Sequence, residues 1–239
     1  MQKKDLLYEG KAKKIFSTDQ SSIVLMEYKD SLTAFNAAKK GQFEGKGELN
    51  CKISTLIFRE LKYHQVKHHW LDTLDGNQML VQKTTIIPLE VVVRNVIAGS
   101  FAKKLGLTEG QVLRKPIVEF YYKDDALNDP FVSDEQIVAL GWADQVTLEH
   151  LKLEALKINS VLKALFLNVG LKLVDFKTEF GRNHQGELLL ADEISPDCMR
   201  LWDVETNKKM DKDRFRQDLG EVEESYSEVY RRLQKGVQT

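Results

Sequence analysis

The segment LKLVDFKTEFGRNHQGELLLADEI, residues 171–194, carries the strongest structural and chemical signal in the chain. Its pattern predicts a β-hairpin, in which strands Leu171–Phe180 and Glu187–Ile194 are joined by the turn Gly181–Gly186. Because side chains alternate between the two faces of a strand, the first strand has one apolar face and one ionisable face. The apolar face carries Val174, Phe176, Thr178 and Phe180, and the other carries Leu171, Leu173, Asp175, Lys177 and Glu179. A row of three ionisable groups is also typical of a solvated sheet face, but the two leucines that begin it favour a half-enclosed functional site.

The second strand of this hairpin contains a carboxylate where an apolar side chain is expected. Its inner face is predicted to carry Leu188, Leu190, Asp192 and Ile194. A buried carboxylate is costly unless it is paired or bound to a metal ion. If the hairpin brings Asp192 near Glu179, the two carboxylates form a site for Mg²⁺, which shares such ligands with substrate phosphates. A simple Asp192–Lys177 salt bridge explains the pattern equally well.

A second buried strand, Leu89–Ile97, is apolar apart from Glu90, Arg94 and Asn95. Gly99 and Ser100 follow it and begin a short helix, Phe101–Leu105. A helix N-terminus with small residues presents free N–H groups to an anion, and a nearby arginine adds a bidentate donor pair. Arg94 and Ser100 therefore indicate an anion site. The alternative is an ordinary serine cap, with Arg94 paired to Glu90.

The first third of the chain predicts a small antiparallel sheet with one helix, ending near Thr84 or Thr85. Its strands are predicted at Leu6–Glu9, Ala12–Ser17, Ile23–Tyr28 and Gln78–Lys83, and its helix at Glu48–Gln65. Gly10 lies in a turn that carries several lysines, and alternation places Lys11 and Lys13 on one face. Two such cations can neutralise a polyphosphate, although a solvated basic edge strand has the same pattern.

The rest of the chain adds two amphipathic helices. The first spans Thr147–Val169, with Thr147 as the N-cap and Gly170 as the stop. The second spans about Lys212–Gln234 and has Leu219 in its apolar stripe. Both stripes indicate core packing. The fold class is therefore α+β, as two lobes: residues 1–85 form the small antiparallel-sheet lobe and residues 86–239 the larger α+β lobe.

The charge balance and cysteine content of the chain argue against several classes of protein. The 239 residues include 35 Lys and Arg against 36 Asp and Glu, so the formal net charge is −1, which argues against a nonspecific nucleic-acid binder. Cys51 and Cys198 form no CxxC pair, and no stretch has signal-peptide or membrane-span character. We expect a soluble cytoplasmic protein with no membrane partner.

Two further segments resemble functional motifs but do not complete them. GQFEGKG, residues 41–47, has three residues between its first two glycines where a P-loop has four. His64, His68 and His69 have no cysteine or further histidine to complete a zinc site, so they are predicted to lie on the surface.

Four segments, taken together and in order, resemble the SAICAR synthetase family of purine biosynthesis. They are YEGKAKKIF (8–16), PLEVVVRNVIAGS (88–100), LVDFKTEFG (173–181) and DEISPDCMRLWD (192–203), and MDKDRFRQDLG (210–220) also fits the family pattern. The resemblance implies a ligase that joins L-aspartate to carboxyaminoimidazole ribonucleotide with ATP and Mg²⁺. It also implies a small lobe similar to that of protein kinases, an active site in the cleft between the lobes, and a possible homodimer.

The same resemblance implies roles for individual residues. The turn Gly10-Lys11-Ala12-Lys13 would bind the ATP phosphates, Lys83 would lie near adenine, and Glu179 and Asp192 would bind nucleotide and Mg²⁺. The 5′-phosphate of the imidazole nucleotide would be held by Arg94, Ser100 and Arg200. Contacts to its ribose or imidazole would come from Asp175, Lys177 and Asp197. Lys212 and Arg216 match family positions that also belong to the substrate site.

The match has two departures, at Asn36, where many members have aspartate, and at Asn128, where many have histidine. Chemically, a carboxylate must be activated before an amine can be acylated, and an acyl phosphate made from ATP provides that activation. Lys11, Lys13 and Mg²⁺ would face the phosphates, and Lys177 would stabilise the developing charge. The alternatives are a small-molecule kinase on a related two-lobe fold and a non-catalytic nucleotide sensor.

Overall fold

The computed structural model describes residues 1–34 and 38–237. Its first part contains β1 (Lys3–Glu9), β2 (Lys13–Thr18), β3 (Ile23–Tyr28), β4 (Ser31–Ala34), β5 (Lys39–Gln42), α1 (Lys46–Tyr63), β6 (Trp70–Thr73) and β7 (Gln78–Gln82). Five of these strands form an antiparallel sheet in the order β1-β2-β3-β7-β6, and β4 and β5 form a separate hairpin. The predicted small sheet with one helix is therefore present.

The second part is built around a larger sheet. Its elements are β8 (Thr85–Val96), α2 (Gly99–Leu105), β9 (Val112–Tyr122), β10 (Phe131–Val132), α3 (Asp134–Ala139), α4 (Gln145–Asn168), β11 (Leu171–Arg182), β12 (Leu188–Leu190), β13 (Met199–Asp203), α5 (Asp213–Arg216) and α6 (Val222–Gly236). The strand order is β10-β9-β8-β11-β12, with β13 also paired to β11. The α+β class is thus confirmed. No helix in the described ranges is long and apolar enough to cross a membrane.

The two longest strands, β8 and β11, lie side by side at the centre of this sheet and run antiparallel. One face of β8 buries Leu89, Val91 and Val93 in the main hydrophobic core. The opposite face is left for Glu90 and Arg94. Helix α4 covers the core face with a buried stripe of Leu148, Leu151, Ala155, Ile158, Leu162 and Leu165. Burying each such leucine or isoleucine stabilises the fold by roughly 1.5–3 kcal/mol.

A β-bulge changes the alternation of β11. Leu173 lies opposite Leu201 of β13, but Asp175 lies opposite Arg200, so Val174 is the extra residue. As a result, Leu171 and Leu173 lie in the same core as Phe176 and Phe180. The prediction that the two leucines share a face with Asp175 was therefore wrong. The bulge separates Leu171 and Leu173, which pack in the core, from the ionisable row that begins at Asp175.

The C-terminal helix also differs from its prediction. Instead of one helix over Lys212–Gln234, the chain forms α5 and α6, separated by a turn. Asp218, Gly220 and Glu221 have positive φ values of 56°, 67° and 50°, which end the helix. Leu219 is 45% exposed and does not belong to the core stripe. The guanidinium of Arg214 donates to the carbonyls of Leu219 and Gly220 at 3.0 and 2.7 Å, which satisfies the turn.

Two other element boundaries differ. Helix α4 begins earlier than predicted, because the side chain of Asp144, not that of Thr147, caps it; Asp144 Oδ1 accepts from the Thr147 N–H at 2.7 Å. Strand β12 ends at Leu190, where a strand to Ile194 was predicted. Residues 191–198 instead form a loop, which we call the acidic loop, and it carries Asp192 and Asp197.

The junction between the two sheets is short. Strand β7 ends at Gln82 and β8 begins at Thr85. Gly181 of β11 packs against this junction so closely that a methyl group there would lie 2.9 Å from the Thr84 Cβ and from the Thr85 carbonyl oxygen. Helix α1 from the first part also packs on α6 from the second. The division into residues 1–85 and 86–239 stays a prediction.

Candidate active site

Three adjoining cavities form one cleft, of which two are lined by both sheets and the third by the second part of the chain alone. A mainly apolar cavity of about 190 Å³ is lined by Tyr8, Ile15, Val24, Met26, Val81 and Ile86. A central cavity of about 470 Å³ shares Lys13, Lys123 and Glu179 with it. A third cavity of about 190 Å³, the arginine cavity, contains Arg94 and Arg200 and shares Glu90, Lys177, Asp197, Cys198 and Arg216 with the central one.

The apolar cavity has the size and character of a site for a flat aromatic ring. Exposed Lys83 lies at its edge, at the end of β7. His69 also lines it and is 3% exposed, so the prediction of a surface histidine was wrong at this position. Burial, together with the charge of Lys13, lowers the pKa of His69 to about 3. The imidazole is therefore neutral at physiological pH.

The lysine turn lies at the mouth of the central cavity, which Gly10, Lys11, Ala12 and Lys13 line. The Gly10 N–H donates to the Lys13 carbonyl at 2.9 Å, which closes the turn between β1 and β2. The Lys11 ammonium lies 2.7 Å from Asp125 across the mouth, and the Lys13 ammonium pairs with Asp192. Both cations thus line the cleft; Lys11 is exposed at its mouth, whereas Lys13 is mostly buried.

The ionisable row of β11 lies in the cleft. Asp175 and Lys177 line the arginine cavity, and Lys177 and Glu179 line the central one. Lys177 Nζ lies 2.6 Å from Glu90 and 3.8 Å from Glu179. Burial opposes a charge on Lys177, but Glu90, Asp192 and Glu179 outweigh it and raise the pKa of Lys177. The lysine remains a cation in the site.

Glu179 and Asp192 both line the central cavity, and each faces a lysine from a different element. Glu179 Oε2 lies 2.5 Å from Lys123, and Asp192 pairs with Lys13. The Asp192–Lys177 salt bridge considered as an alternative is not formed within 4.0 Å. Burial opposes ionisation of Asp192, but Lys13 and Lys177 lower its pKa. An ionised Asp192 and the carboxyl group of Glu179 therefore line the same cavity as the lysine turn.

The arginine cavity is organised by one carboxylate. Asp175 lies opposite Arg94 in the β8–β11 pair and accepts from Arg94 at 3.1 Å and from Arg200 at 3.0 Å. Arg94 Nε donates to Glu119 Oε2 at 2.6 Å. Arg94 therefore pairs with Glu119, and the predicted alternative of an Arg94–Glu90 pair was wrong. Ser100, at the start of α2, lines the same cavity. Two fixed guanidinium groups and a hydroxyl make this end suitable for a phosphate.

The far end of the central cavity contains Lys212 and Arg216. Arg216 pairs with Asp213 at 2.5 Å. No carboxylate in the described part of the chain lies within 4.0 Å of the Lys212 ammonium. Burial lowers the pKa of Lys212, although Asp197 acts in the opposite direction. A half-buried ammonium without a direct counterion is suited to receive an anionic ligand.

Several site residues were missed from the sequence. They are Glu90, Glu119, Lys123, Asp129 and Glu193. Lys123 and Asp129 lie in a polar segment that has no motif of its own. Glu90 and Glu119 have a weak signal, because each is a lone carboxylate in an otherwise apolar strand.

The structure describes one of the two residues that depart from the family pattern. Asn36 lies outside the described residues. Asn128 has a left-handed φ of 59°, a conformation that asparagine tolerates well. Its neighbour Asp129 lines the central cavity.

Comparisons with known proteins agree on one family. A family model described as SAICAR synthetase matches residues 6–233. The phosphoribosylaminoimidazole-succinocarboxamide synthase of Desulfitobacterium hafniense is 52% identical over 235 residues, which cover 98% of each chain. The crystal structure of that synthase from Ehrlichia chaffeensis superposes with a TM-score of 0.94 at 47% identity, covering 98% of this chain and 100% of that one. A SAICAR synthetase solved in complex with ADP superposes with a TM-score of 0.93 at 45% identity, covering 97% and 99%.

Proposed function

The chain belongs to the SAICAR synthetase family and is an ATP-dependent ligase of purine biosynthesis. We propose which part of its cleft binds each substrate. L-Aspartate is joined to the carboxylate of carboxyaminoimidazole ribonucleotide, and ATP becomes ADP and phosphate. The observation that carries this proposal is the order of the three cavities. An apolar cavity, a lysine-lined centre and an arginine-lined end match a purine ring, a polyphosphate and a second phosphorylated substrate.

ATP occupies the apolar and central cavities. Adenine lies against the apolar lining near Lys83, and the phosphates follow the turn Gly10–Lys13 into the central cavity. The related synthetase solved in complex with ADP supports nucleotide binding here. Residues 1–85 therefore act as the ATP-binding lobe, and residues 86–239 provide the second substrate site.

Mg²⁺ would be held by Glu179 and Asp192. No group of three or more His, Cys, Asp or Glu side chains suited to a metal occurs in the described ranges. Two carboxylates still fit Mg²⁺, because this ion takes its remaining ligands from water and substrate phosphates. When bound, it would neutralise phosphate charge. Lys123 pairs with Glu179 and Lys13 pairs with Asp192, so each of the two side chains has a lysine partner before nucleotide arrives.

The imidazole nucleotide occupies the arginine cavity. Arg94, Arg200 and Ser100 hold its 5′-phosphate, and Asp175 keeps the two guanidinium groups in fixed positions. Asp175, Lys177 and Asp197 contact its ribose or imidazole. Its carboxylate then points toward the central cavity, because Lys177 and Asp197 line both cavities.

Aspartate is the remaining substrate, and it carries two carboxylates. Lys212 and Arg216 are the cations of the central cavity that the nucleotides do not use. The Lys212 ammonium has no carboxylate within ion-pair distance among the described residues, which favours an anionic ligand there. We therefore assign the aspartate carboxylates to this end of the cleft.

The chemistry then runs in two steps. A carboxylate oxygen of the imidazole nucleotide attacks the γ-phosphorus, the bond to the β–γ bridging oxygen breaks, and ADP leaves. The aspartate amine next attacks the acyl carbon, loses a proton, and phosphate leaves with the former carboxylate oxygen. Lys177 faces the charge that develops in both steps, and Lys11 and Lys13 face the ATP phosphates.

Dependence of ADP release on substrates tests this function. Sustained release of ADP over many turnovers is expected only when both the imidazole nucleotide and aspartate are present, since without aspartate the acyl phosphate is not consumed. Release without aspartate but with a stable phosphorylated product would favour the small-molecule kinase, which the comparisons do not favour. Absence of turnover with all three substrates would favour the nucleotide sensor.

The proposal extends to the cellular location and the assembly of the protein. The free thiols of Cys51 and Cys198 agree with a reducing compartment, which supports a cytoplasmic location. A homodimer follows from the family resemblance. Light scattering of the purified protein at several concentrations would test the dimer.

A further inference from the structure

Asp197 lies where the central and arginine cavities meet, and two helices hold its carboxylate. Lys46 Nζ donates to Oδ2 at 2.5 Å, and Asn50 Nδ2 donates to the same oxygen at 3.2 Å. The Tyr226 hydroxyl donates to Oδ1 at 2.8 Å. The three donor residues are each exposed by 1% or less. They therefore reach a ligand in the cleft only through Asp197.

One face of α1 is hydrogen-bonded to the acidic loop. Lys46, Asn50 and Ser54 follow one another at intervals of four residues, so they lie on the same face of the helix. Ser54 Oγ donates to the Ile194 carbonyl at 3.0 Å. This polar stripe of α1 (Lys46, Asn50 and Ser54) thus holds the loop at two points. The same loop carries Asp192, which we assign to the metal.

The Lys46–Asp197 pair is a poor source of stability. Removing two charges from water costs several kcal/mol for each ion, and apolar side chains of similar volume often serve a fold equally well. A helix that only packed against the loop would not need a fully buried lysine. The benefit of this pair is therefore orientation of the carboxylate.

We propose that Lys46, Asn50 and Tyr226 are positioning residues, which fix the Asp197 carboxylate toward the imidazole nucleotide. The proposal rests on the proposed function, in which Asp197 contacts the ribose or imidazole. Lys46 belongs to GQFEGKG, the segment whose glycine spacing does not match a P-loop. Instead of binding phosphate, Lys46 connects the ATP-binding lobe to the second substrate site.

The electrostatics agree with this role. Burial opposes ionisation of Asp197, but Lys212, Lys46 and the Tyr226 hydroxyl lower its pKa to about 2. Glu193, on the same loop, and Asp211 are acidic groups that face this cluster. Asp197 therefore stays ionised, so its ability to accept hydrogen bonds depends on its orientation.

Tyr226→Phe tests the proposal with the smallest change, since it removes one donor and keeps the ring. We expect the dissociation constant for the imidazole nucleotide, measured by calorimetry, to rise about tenfold, and that for ADP to change less than about twofold. The matched control is Tyr230→Phe on the same helix, where the lost hydroxyl accepts a hydrogen bond from Gln234 Nε2 at 3.1 Å. This control should leave both constants unchanged.

A double-mutant cycle separates positioning from a merely structural role. Asp197→Asn alone should weaken binding of the imidazole nucleotide, and adding Tyr226→Phe should then cause no further loss. If Asp197→Asn has no effect, the assigned contact of Asp197 is wrong and this proposal falls with it. If Asp197→Asn weakens binding but Tyr226→Phe does not, the contact of Asp197 with the nucleotide stands and only the positioning role is overturned. Fully additive losses would also overturn it, because Tyr226 would then act elsewhere.

Discussion

Gly99 lies directly beneath the guanidinium group of Arg200. A methyl group at Gly99 would lie 2.6 Å from the Arg200 Cζ, and the residue has a φ of +57°. Glycine is thus required twice at this point, by the backbone conformation and by the close approach of a side chain. The arginine that closes one wall of the phosphate site depends on the absence of a side chain in the neighbouring turn.

Gly99→Ala should therefore displace Arg200. We expect the KM for the imidazole nucleotide to rise about tenfold, with little change in the KM for ATP. Gly106→Ala is the matched control, because Gly106 has a similar φ of +63° but no atom within 4 Å of the added methyl group. Both variants carry a backbone cost of about 1–2 kcal/mol. Equal kinetic effects of the two variants would contradict the contact with Arg200.

Arg94→Lys and Arg200→Lys should each raise the KM for the imidazole nucleotide about 10- to 100-fold, because lysine cannot supply two parallel donors. Steady-state kinetics with each substrate varied in turn would measure this change. The KM for ATP should move much less. The exposed Arg114 on β9 gives a control, Arg114→Lys, with no expected effect. An equal rise for both substrates would mean that the arginines hold the cleft together and do not bind that phosphate.

Asp192→Asn should lower turnover on the order of 100-fold and weaken the dependence of ADP binding on Mg²⁺. It should also lower the free energy of unfolding by about 1–3 kcal/mol, because Lys13 loses its close partner and keeps the longer ion pair with Glu193 at 3.7 Å. Calorimetry with ADP at several Mg²⁺ concentrations and urea denaturation measure the two effects. Asp125→Asn removes an exposed partner of Lys11 and should affect stability little. Unchanged Mg²⁺ dependence in Asp192→Asn would remove this residue from the metal site.

His69 predicts a loss of stability in acid. Its folded pKa is lowered to about 3, below the usual 6.5, because the ring is buried near Lys13. Below pH 6.5 the unfolded chain binds a proton that the folded protein does not, so the free energy of unfolding falls as pH decreases toward 3. The slope is at most about 1.4 kcal/mol per pH unit.

Urea denaturation at pH 7 and pH 5 would measure this effect. Wild type should lose about 2 kcal/mol more than His69→Gln between the two pH values. The exposed His184 provides the control, since His184→Gln should lose as much as wild type. Parallel pH curves for wild type and His69→Gln would show that the imidazole becomes protonated without unfolding.

The acyl phosphate makes a prediction about oxygen atoms. If both carboxylate oxygens of the imidazole nucleotide carry heavy oxygen and the reaction runs in ordinary water, each turnover should transfer one label to phosphate. The second label should remain in the new amide, as mass spectrometry would show. Phosphate containing only solvent oxygen would exclude this intermediate even if the overall ligation were correct. Omission of aspartate provides the control, since it should prevent the net transfer of label to free phosphate.

Sequence periodicity predicted the main elements, because amphipathic stripes are local. Strand Ile23–Tyr28 was placed with the bounds that the structure has, and α4 was found from its apolar spacing. The bulge at Val174 was not predictable in this way, since it arises from pairing with β13. The break between α5 and α6 was not predicted, although Gly220 is a residue that commonly ends a helix. The reason is that the apolar spacing continued across Gly220.

The chemistry of individual strands was easier to predict than their partners. Asp175, Lys177 and Glu179 were identified from alternation, and they line the cleft. Their counterions Glu90 and Lys123 come from distant segments, and no spacing rule connects such segments. The roles of Lys212 and Arg216 depended on family resemblance, because short polar turns have no periodicity to interpret.

The contact between Gly181 and Thr84–Thr85 has a steric consequence. Gly181 of β11 pairs with Ile86 of β8, and no space remains for even one methyl group between Gly181 and the residues Thr84 and Thr85 that lead into β8. A side chain at position 181 would therefore displace the segment through which the chain passes from the first sheet to the second. The absence of a side chain at one position thus fixes where the larger sheet begins relative to the end of β7.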